Sequence, residues 1–179
     1  YLECLKETLF TRSCEICTRP SLVCRTYARA QKFLKNNKPD LVTAPSQFVI
    51  DKIKKDGFFD KSRTMKFSLG IEIAGTEKTK RDYDTIHLLF VGRLNRFKGL
   101  ETLIDAFKQV RSKNARLHIV GEGPEEVRFR ERAGTDAAIT FHGFVSNEEL
   151  ASLYKQSHIL VVPSVWYETF GIVIIEGFN

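Results

Sequence analysis

The sequence has no apolar stretch that approaches the roughly 18 consecutive residues of a membrane-spanning helix. A signal peptide is not expected either, because Glu and Lys interrupt the apolar side chains from Tyr1 to Phe10. An initiating methionine is also lacking, so we expect that an upstream portion of the parent protein is missing. With 42% hydrophobic and 28% charged residues, the composition excludes a fibrous or disordered chain and predicts a globular protein with a real core.

Cysteine is missing from most of the sequence, since all four cysteines lie between Cys4 and Cys24. Within this cluster, only Cys14 and Cys17 have the close spacing typical of a metal knuckle. One interpretation is therefore a structural zinc bound by Cys4, Cys14, Cys17 and Cys24. Reduced thiols in a loop are another, and disulfides come last because the sequence carries no secretion signal.

Excess charge is missing from the second half of the sequence. Residues 85–179 hold equal numbers of acidic and basic side chains, so the net charge of +6 resides in residues 1–84. A basic surface of this kind can approach the phosphates of a lipid carrier, an anionic membrane or nucleic acid. The simpler interpretation is a set of scattered, solvated lysines. Nucleic acid is not expected as a partner, because the aromatic residues fall in core patterns and are not interleaved with basic side chains.

The first half of the chain shows few regular elements. A weak helical pattern covers Arg25 to Asn36, and Leu41 to Ala44 reads as one buried strand. Ser46 can cap a following amphipathic helix that stops at Gly57. The stretch from Ala74 to Asp84 is polar and has no apolar period, so we interpret it as a linker.

From Thr85 onward, short apolar runs alternate with helical patterns. Strands that alternate with single helices predict an α/β fold, with a Rossmann-like, doubly wound parallel sheet and right-handed crossovers. The first helix places Leu103, Ile104, Phe107 and Val110 on one face. The predicted strands are 87–91, 117–120, 139–141 and 159–162, and the predicted helices are 100–110, 125–132 and 147–154, before a last apolar segment.

Glycines follow three of these four strands. In open parallel sheets, ligands bind beyond the carboxyl ends of the strands, so the residues there are the first candidates for a site. A glycine lets a ligand approach the backbone, although a tight strand-to-helix turn requires glycine equally well. The common placement of these glycines at one sheet edge favours a binding site. They are Gly92, Gly121, Gly123 and Gly143.

Two cations and two carboxylates also follow the predicted strands. Arg93 and Lys98 flank a loop that opens a helix, so either they converge on a diphosphate with the helix amides or they are simply solvated. Glu168 lies in a loop and Glu176 in the next helix, roughly 12 Å apart if the segment were helical throughout. The carboxyl pair of a retaining glycosidase is only about 5 to 5.5 Å apart, so these two suit opposite ends of an extended ligand.

Histidine and aromatic side chains near these segments give weaker indications. His118 is expected to be structural within its strand, whereas His142, at a strand end, leaves a contact with the ligand open. Trp166 and Tyr167 precede Glu168, and either loop packing or a sugar contact fits them.

Four segments carry a family resemblance. They are V-G-R-L-N-R-F-K-G-L at 91–100, V-G-E-G-P at 120–124, F-H-G-F-V at 141–145 and P-S-V-W-Y-E-T-F-G-I-V-I-I-E at 163–176. Together they resemble family 4 glycosyltransferases of the GT-B fold, and the last segment contains the E-x7-E signature. The resemblance covers about residues 39–179. It implies acceptor-side residues at 1–73 with the Cys-rich segment, a linker at 74–84, and an incomplete donor-binding domain at 85–179.

The resemblance also implies roles for individual residues. Arg93 and Lys98 would hold the donor diphosphate, and Glu168 would contact sugar hydroxyls, which makes these three the predicted catalytic residues. Glu176 would bind the ribose hydroxyls of the donor. The other predicted donor-binding residues are Gly92, Gly121, Gly123 and Gly143, then Phe144 and Val145 near the base, and Phe170 and Gly171, whose backbone amides would face phosphate.

The implied parent enzyme is a retaining transferase of polysaccharide or glycolipid assembly. It would move a hexose from a nucleoside diphosphate sugar to a hydroxyl group of a sugar or lipid-linked acceptor, without a cofactor for catalysis. It would be cytoplasmic, with peripheral contact at the inner face of the membrane, and this piece alone would be inactive. Two alternatives remain: a GT-B-like epimerase or phosphorylase, against which the E-x7-E segment argues, and a zinc-stabilised basic binding module without catalysis.

Overall fold

The computed structural model describes residues 33, 39–67, 70, 83–110, 112 and 114–178. The chain divides into two units, Tyr1–Gly70 and Ile71–Asn179. The four cysteines, all but Phe33 of the helical pattern at 25–36, and residues 74–82 of the predicted linker lie outside the described residues. In the described part of the chain, no helix combines the length and the apolar character needed to span a membrane.

Residues 39–67 of the first unit form a strand, a helix and a second strand. They are β1 (Leu41–Ala44), α1 (Gln47–Lys55) and β2 (Arg63–Lys66), and the two strands pair in parallel. The Ser46 hydroxyl accepts a hydrogen bond from the Val49 N–H at 3.4 Å, which confirms the predicted cap of α1. The prediction of a buried β1 was wrong, because Leu41 is 51% exposed and only Ala44 is buried. α1 contacts both strands, and this two-stranded sheet is too small to enclose β1.

The second unit is a four-stranded parallel sheet with intervening helices. The strand order is β5-β4-β3-β6, and every neighbouring pair is parallel. This arrangement confirms the predicted Rossmann-like, parallel α/β sheet. The elements are β3 (Ile86–Val91), a 3₁₀ turn (Arg96–Lys98), α2 (Leu100–Lys108), β4 (Ala115–Val120), α3 (Glu126–Ala133), β5 (Ile139–Gly143), α4 (Asn147–Gln156), β6 (Ile159–Leu160) and α5 (Ile172–Gly177).

The core of the second unit lies between one face of the sheet and helices α2 and α3. The predicted inner face of α2 is confirmed for Leu103, Ile104 and Phe107, which are buried. Val110 is 48% exposed, because α2 ends at Lys108 and the helical face does not extend further. The sheet, α3, the start of α2 and the loop after β3 supply the other buried members, which are Phe90, Ala115, Leu117, Ile119, Phe129, Ala133, Leu100 and Leu94.

The last strand is shorter than predicted. β6 ends at Leu160, although the Val161 N–H still donates to the Leu89 carbonyl at 2.8 Å. The chain then leaves the sheet and packs on the loop that follows β3, where the Val165 N–H donates to the Phe97 carbonyl at 2.9 Å. This departure brings two loops together at the carboxyl edge of the sheet.

Candidate functional site

The strand order places a switch point between β3 and β6. From β3 the chain moves outward through β4 to β5 on one side, and β6 then returns to the other side of β3. The loops after β3 and β6 therefore flank the position where open α/β sheets bind their ligands. The first of these loops holds Arg93 and Lys98, and the second holds Glu168.

A side-chain cap shapes the loop after β3. The Asn95 Oδ1 atom accepts hydrogen bonds from the backbone N–H groups of Phe97 at 3.0 Å and of Lys98 at 3.2 Å. These bonds fix the 3₁₀ turn, and Gly99 then takes a positive φ of 68° before α2 begins. The backbone thus holds Lys98 at the carboxyl edge of the sheet.

The loop after β6 packs directly on this turn. A Cβ atom at Gly99 would lie 2.0 Å from the carbonyl oxygen of Pro163, so only glycine fits there. The Trp166 ring also lies 5.5 Å from the Phe97 ring, which indicates loop packing for Trp166. The two loops at the switch point form one surface.

Lys98 and Glu168 meet on this surface. The Lys98 Nζ donates to Glu168 Oε1 at 2.6 Å, and the Ser164 hydroxyl donates to the same oxygen at 2.5 Å. Both charged side chains are about one-third exposed. Burial opposes the ionisation of Glu168, but the hydrogen bonds from Lys98 and Ser164 outweigh it and lower the pKa of Glu168 below its ordinary value of 4.5. An ionised carboxylate and an ammonium group therefore stand together at the switch point.

Arg93 does not join this pair. Its side chain is exposed and, within the described ranges, makes no hydrogen bond or ion pair. The structure thus brings one of the two predicted phosphate-binding cations into contact with the predicted sugar-binding carboxylate and leaves the other open to solvent. An exposed guanidinium keeps all of its N–H donors available for an anionic ligand.

The glycines after β4 have a packing role. A Cβ atom at Gly121 would lie 2.1 Å from the carbonyl oxygen of Gly92, and one at Gly123 would lie 2.3 Å from that of Leu94. The Leu94 N–H also donates to the Glu122 carbonyl at 2.9 Å. These glycines therefore let the loops after β3 and β4 touch, and a contact of theirs with the donor stays a prediction.

The loop after β5 continues the same edge. The Gly121 N–H donates to the Gly143 carbonyl at 2.8 Å, and Gly143 has a positive φ of 69°. Glu122 Oε1 accepts a long hydrogen bond of 3.4 Å from the Phe144 N–H. Phe144 is 81% exposed, and Val145 is half-buried. The predicted base-proximal residues thus lie beside the glycine loop after β4.

The second glutamate has a separate partner. Glu168 lies in the loop and Glu176 in α5, as predicted. The Tyr154 hydroxyl, at the end of α4, donates to Glu176 Oε2 at 2.9 Å. Gly171 precedes α5 and is buried, and Phe170 is half-buried. The two carboxylates are held by different elements, which agrees with contacts to different parts of one ligand.

Sequence reasoning missed three side chains of this region. Asn95 stands one residue before the 3₁₀ turn, and asparagine at such a position is a common cap signal in a sequence. Ser164 lies four residues before Glu168, but the intervening loop geometry gives no periodic signal. Tyr154 meets Glu176 only through the packing of α4 and α5, for which the sequence carries no local mark.

The four histidines of the chain form one continuous row across the sheet. His87 Nδ1 lies 2.8 Å from His118 Nε2, and His118 Nδ1 lies 3.0 Å from His142 Nε2. His158 Nδ1 accepts a hydrogen bond from the His87 backbone N–H at 3.1 Å. Burial, followed by repulsion from His142 and His87, lowers the pKa of His118 from 6.5 to about 4. Within the described ranges, no group of three or more His, Cys, Asp or Glu has the arrangement of a metal site.

This row predicts a pH-dependent stability. Between pH 6.5 and about 4, the unfolded chain binds a proton at His118 that the folded chain does not bind. The contribution of His118 to the free energy of unfolding should therefore be largest above pH 6.5 and fall on acidification. We expect His118 to account for about 1 kcal/mol between about pH 7 and pH 5, a figure discounted because the ring is only partly buried.

Urea unfolding at both pH values, compared with His118→Gln, measures this contribution. The glutamine side chain can still donate to one neighbouring ring and accept from the other, but it does not titrate. The variant should therefore lose less stability on acidification than the unmodified chain. Equal losses in the two proteins would contradict the assignment to His118.

A family model and curated relatives match the part of the chain that contains this site. The model of the family described as "Glycosyl transferases group 1" matches residues 75–179. An uncharacterized glycosyltransferase from Methanocaldococcus jannaschii is 41% identical over 94 residues, which are 50% of this chain and 24% of that protein. The D-inositol 3-phosphate glycosyltransferase of Pseudarthrobacter chlorophenolicus is 35% identical over 113 residues, 56% of this chain and 27% of that protein. The chain thus spans about a quarter of the length of these relatives.

A solved structure shares the fold. The Anabaena protein HepE, solved in complex with UDP and glucose, superposes with a TM-score of 0.66 at 21% sequence identity. The match covers 86% of this chain and 46% of HepE. At this level of identity the likeness concerns the fold alone.

Proposed function

Because this chain belongs to the group 1 glycosyl transferases, we propose that it forms the donor-binding part of an enzyme that moves a hexose from a nucleoside diphosphate sugar to a hydroxyl acceptor. The observation that carries the proposal is the contact of Lys98 with Glu168 at the switch point of the sheet. A cation for the diphosphate and a carboxylate for the sugar stand side by side, as the two adjoining parts of such a donor require.

The Lys98–Glu168 pair does not have to break when a donor binds. An ammonium group has three N–H donors, of which Glu168 accepts one, so the others remain for phosphate oxygens. The Glu168 carboxylate likewise keeps acceptor positions for sugar hydroxyls. The pair therefore fixes the distance between the phosphate and sugar positions before the donor arrives.

The chemical step requires stabilisation of the leaving group. When the bond between the anomeric carbon and the diphosphate oxygen breaks, negative charge grows on the diphosphate. The acceptor hydroxyl oxygen forms the new bond to that carbon, and its proton passes to the departing diphosphate. Lys98 is fixed in position by the Asn95 turn and Arg93 is free to approach from solvent, so both stabilise this charge. We propose transfer with retention at the anomeric carbon, as in family 4 enzymes.

The remaining donor contacts are assigned to α5 and to the loops after the other strands. Glu176 accepts from the ribose hydroxyls, and the backbone near Phe144 and Val145 contacts the base. Of the glycines, Gly92 and Gly143 offer the more open backbone, because a Cβ atom at either would meet nothing closer than 3.6 Å. The amides at Phe170 and Gly171 remain candidates for phosphate contact.

The acceptor is proposed as a sugar or a lipid-linked sugar at the cytoplasmic face of a membrane. Support comes from the basic excess of residues 1–84, which suits an anionic surface. Catalysis is proposed to need no cofactor, and a structural zinc at the cysteines stays a proposal. The epimerase, phosphorylase and binding-module interpretations are less favoured, because the matched family is defined by glycosyl transfer.

Calorimetric titration of UDP, GDP and ADP into the chain tests the donor site. We expect one of the three to bind, and Glu176→Ala to weaken that binding by about 10- to 100-fold, because hydrogen bonds to a charged group contribute about 1.5–3 kcal/mol. Glu131→Ala is the matched control, since Glu131 is an exposed glutamate on α3. Failure of all three diphosphates to bind a chain that is folded by circular dichroism would contradict the proposed donor site.

A further inference from the structure

Tyr154 connects two helices of the second unit through one carboxylate. It lies near the end of α4 and is half-buried, and its hydroxyl donates to Glu176 Oε2 at 2.9 Å. The same hydroxyl oxygen lies 3.4 Å from the Val173 carbonyl oxygen. Both partners belong to α5, so one side chain of α4 fixes the backbone of α5 and the direction of its glutamate.

The hydrogen bond from Tyr154 uses one oxygen of the Glu176 carboxylate and leaves the other oxygen, Oε1, available for a ligand. In the described part of the chain, Tyr154 is the only hydrogen-bond partner of this carboxylate, and it uses Oε2. A glutamate side chain has several rotatable bonds. When no neighbouring group holds it, it loses its rotational freedom only when a ligand binds. With Oε2 held, the free Oε1 already points in one direction, so less ordering accompanies binding.

The protonation states suit this arrangement. Burial, strengthened by the hydrogen bond to Glu176, raises the pKa of Tyr154 far above its ordinary value of 10.0. The phenol therefore keeps its proton and remains a donor at every physiological pH. A carboxylate held in this way is an acceptor only, and it matches a ligand group that carries hydroxyl donors.

We infer that Tyr154 is a positioning residue that orients Glu176 toward the ribose hydroxyls of the donor, and thereby sets the preference for ribonucleotides over 2′-deoxyribonucleotides. This inference rests on the proposed donor site. Tyr154 itself does not touch the nucleotide. Its effect is transmitted through the Oε2 contact and should disappear when Glu176 is absent.

Titration of UDP, GDP and ADP, each against its 2′-deoxy counterpart, tests the inference on the unmodified chain and on Tyr154→Phe. The variant should bind the preferred ribonucleotide about 3- to 10-fold more weakly, as expected for one lost hydrogen bond. Affinity for the 2′-deoxy counterpart should change less, so the preference for ribose should shrink. A merely structural role would weaken both ligands equally. Tyr83→Phe is the matched control, because Tyr83 is 72% exposed and lies before β3.

A double-variant cycle with Glu176→Ala separates the possible outcomes. Tyr154→Phe should have almost no effect in the Glu176→Ala background, since the two residues act through one contact. Unchanged ribose preference in Tyr154→Phe, in a chain that binds nucleotide, would overturn the inference and leave the proposed function intact. Additive losses in the double variant would overturn it as well. Failure of the unmodified chain to bind any of the nucleotides would overturn both.

Discussion

Replacing Lys98 with alanine should reduce the turnover of an enzyme that contains this chain by about 100- to 1000-fold, the usual effect of removing one preorganised group that stabilises developing charge. The expected loss is large because the substitution removes the cation and leaves the carboxylate. Glu168 would remain hydrogen-bonded to Ser164, with its negative charge beside the departing diphosphate. Turnover with saturating sugar nucleotide measures the effect, since a group that acts mainly in the transition state lowers kcat more than it raises KM.

Two further variants separate catalysis by Lys98 from its support of Glu168. If Lys98 matters only because it holds Glu168, the double variant of Lys98→Ala and Glu168→Gln should be as active as Glu168→Gln alone. If Lys98 stabilises the leaving group, the double variant should be clearly less active than Glu168→Gln. Lys108→Ala is the control for loss of a surface lysine, because Lys108 is exposed on α2 and, among the residues that the structure describes, its ammonium group donates only to the Arg132 carbonyl. A loss below about threefold for Lys98→Ala would exclude the proposed role.

The elements of this fold could be predicted from the sequence wherever the signal is local. The cap at Ser46 and the strand–helix alternation from Thr85 depend on residues only a few positions apart, and the structure confirms both. The errors occur where tertiary packing decides. Leu41 has the apolar character of a buried residue but lies in a two-stranded sheet that does not enclose it, and Val110 continues the apolar pattern beyond the end of α2.

In the candidate site, too, the local features could be predicted from the sequence and the tertiary contacts could not. The positions after the strands could be predicted, because the carboxyl ends of parallel strands share one edge. The contact of Lys98 with Glu168 spans 70 residues and depends on the pairing of β3 with β6, which no local pattern indicates. The glycines illustrate the limit of residue type as a guide. At Gly121 and Gly123 the residue type alone fits both ligand approach and a tight turn, and only the structure shows that their hydrogen atoms face the backbone of the neighbouring loop.

Replacing Phe129 with alanine should lower the free energy of unfolding of the second unit by about 3–5 kcal/mol. Phe129 is 1% exposed and belongs to the cluster that joins α3 to the sheet, so the substitution opens a cavity that the surrounding strands cannot fill. A domain typically has only about 5–15 kcal/mol of stability, and so this one change removes a large part of it. The effect is comparable in size to that of Lys98→Ala, but it acts on the fold and not on the site.

Urea unfolding followed by fluorescence measures the effect of Phe129→Ala, because the single tryptophan, Trp166, lies in the second unit. Phe144→Ala is the matched control, since Phe144 is 81% exposed and its loss should change stability by no more than about 0.5 kcal/mol. If both variants unfold at the same urea concentration, Phe129 is not a core residue and α3 does not pack on the sheet as described. A large effect of Phe129→Ala alone would support a core of the second unit on the face opposite the histidine row, since His118 alternates along β4 with the core residues Leu117 and Ile119.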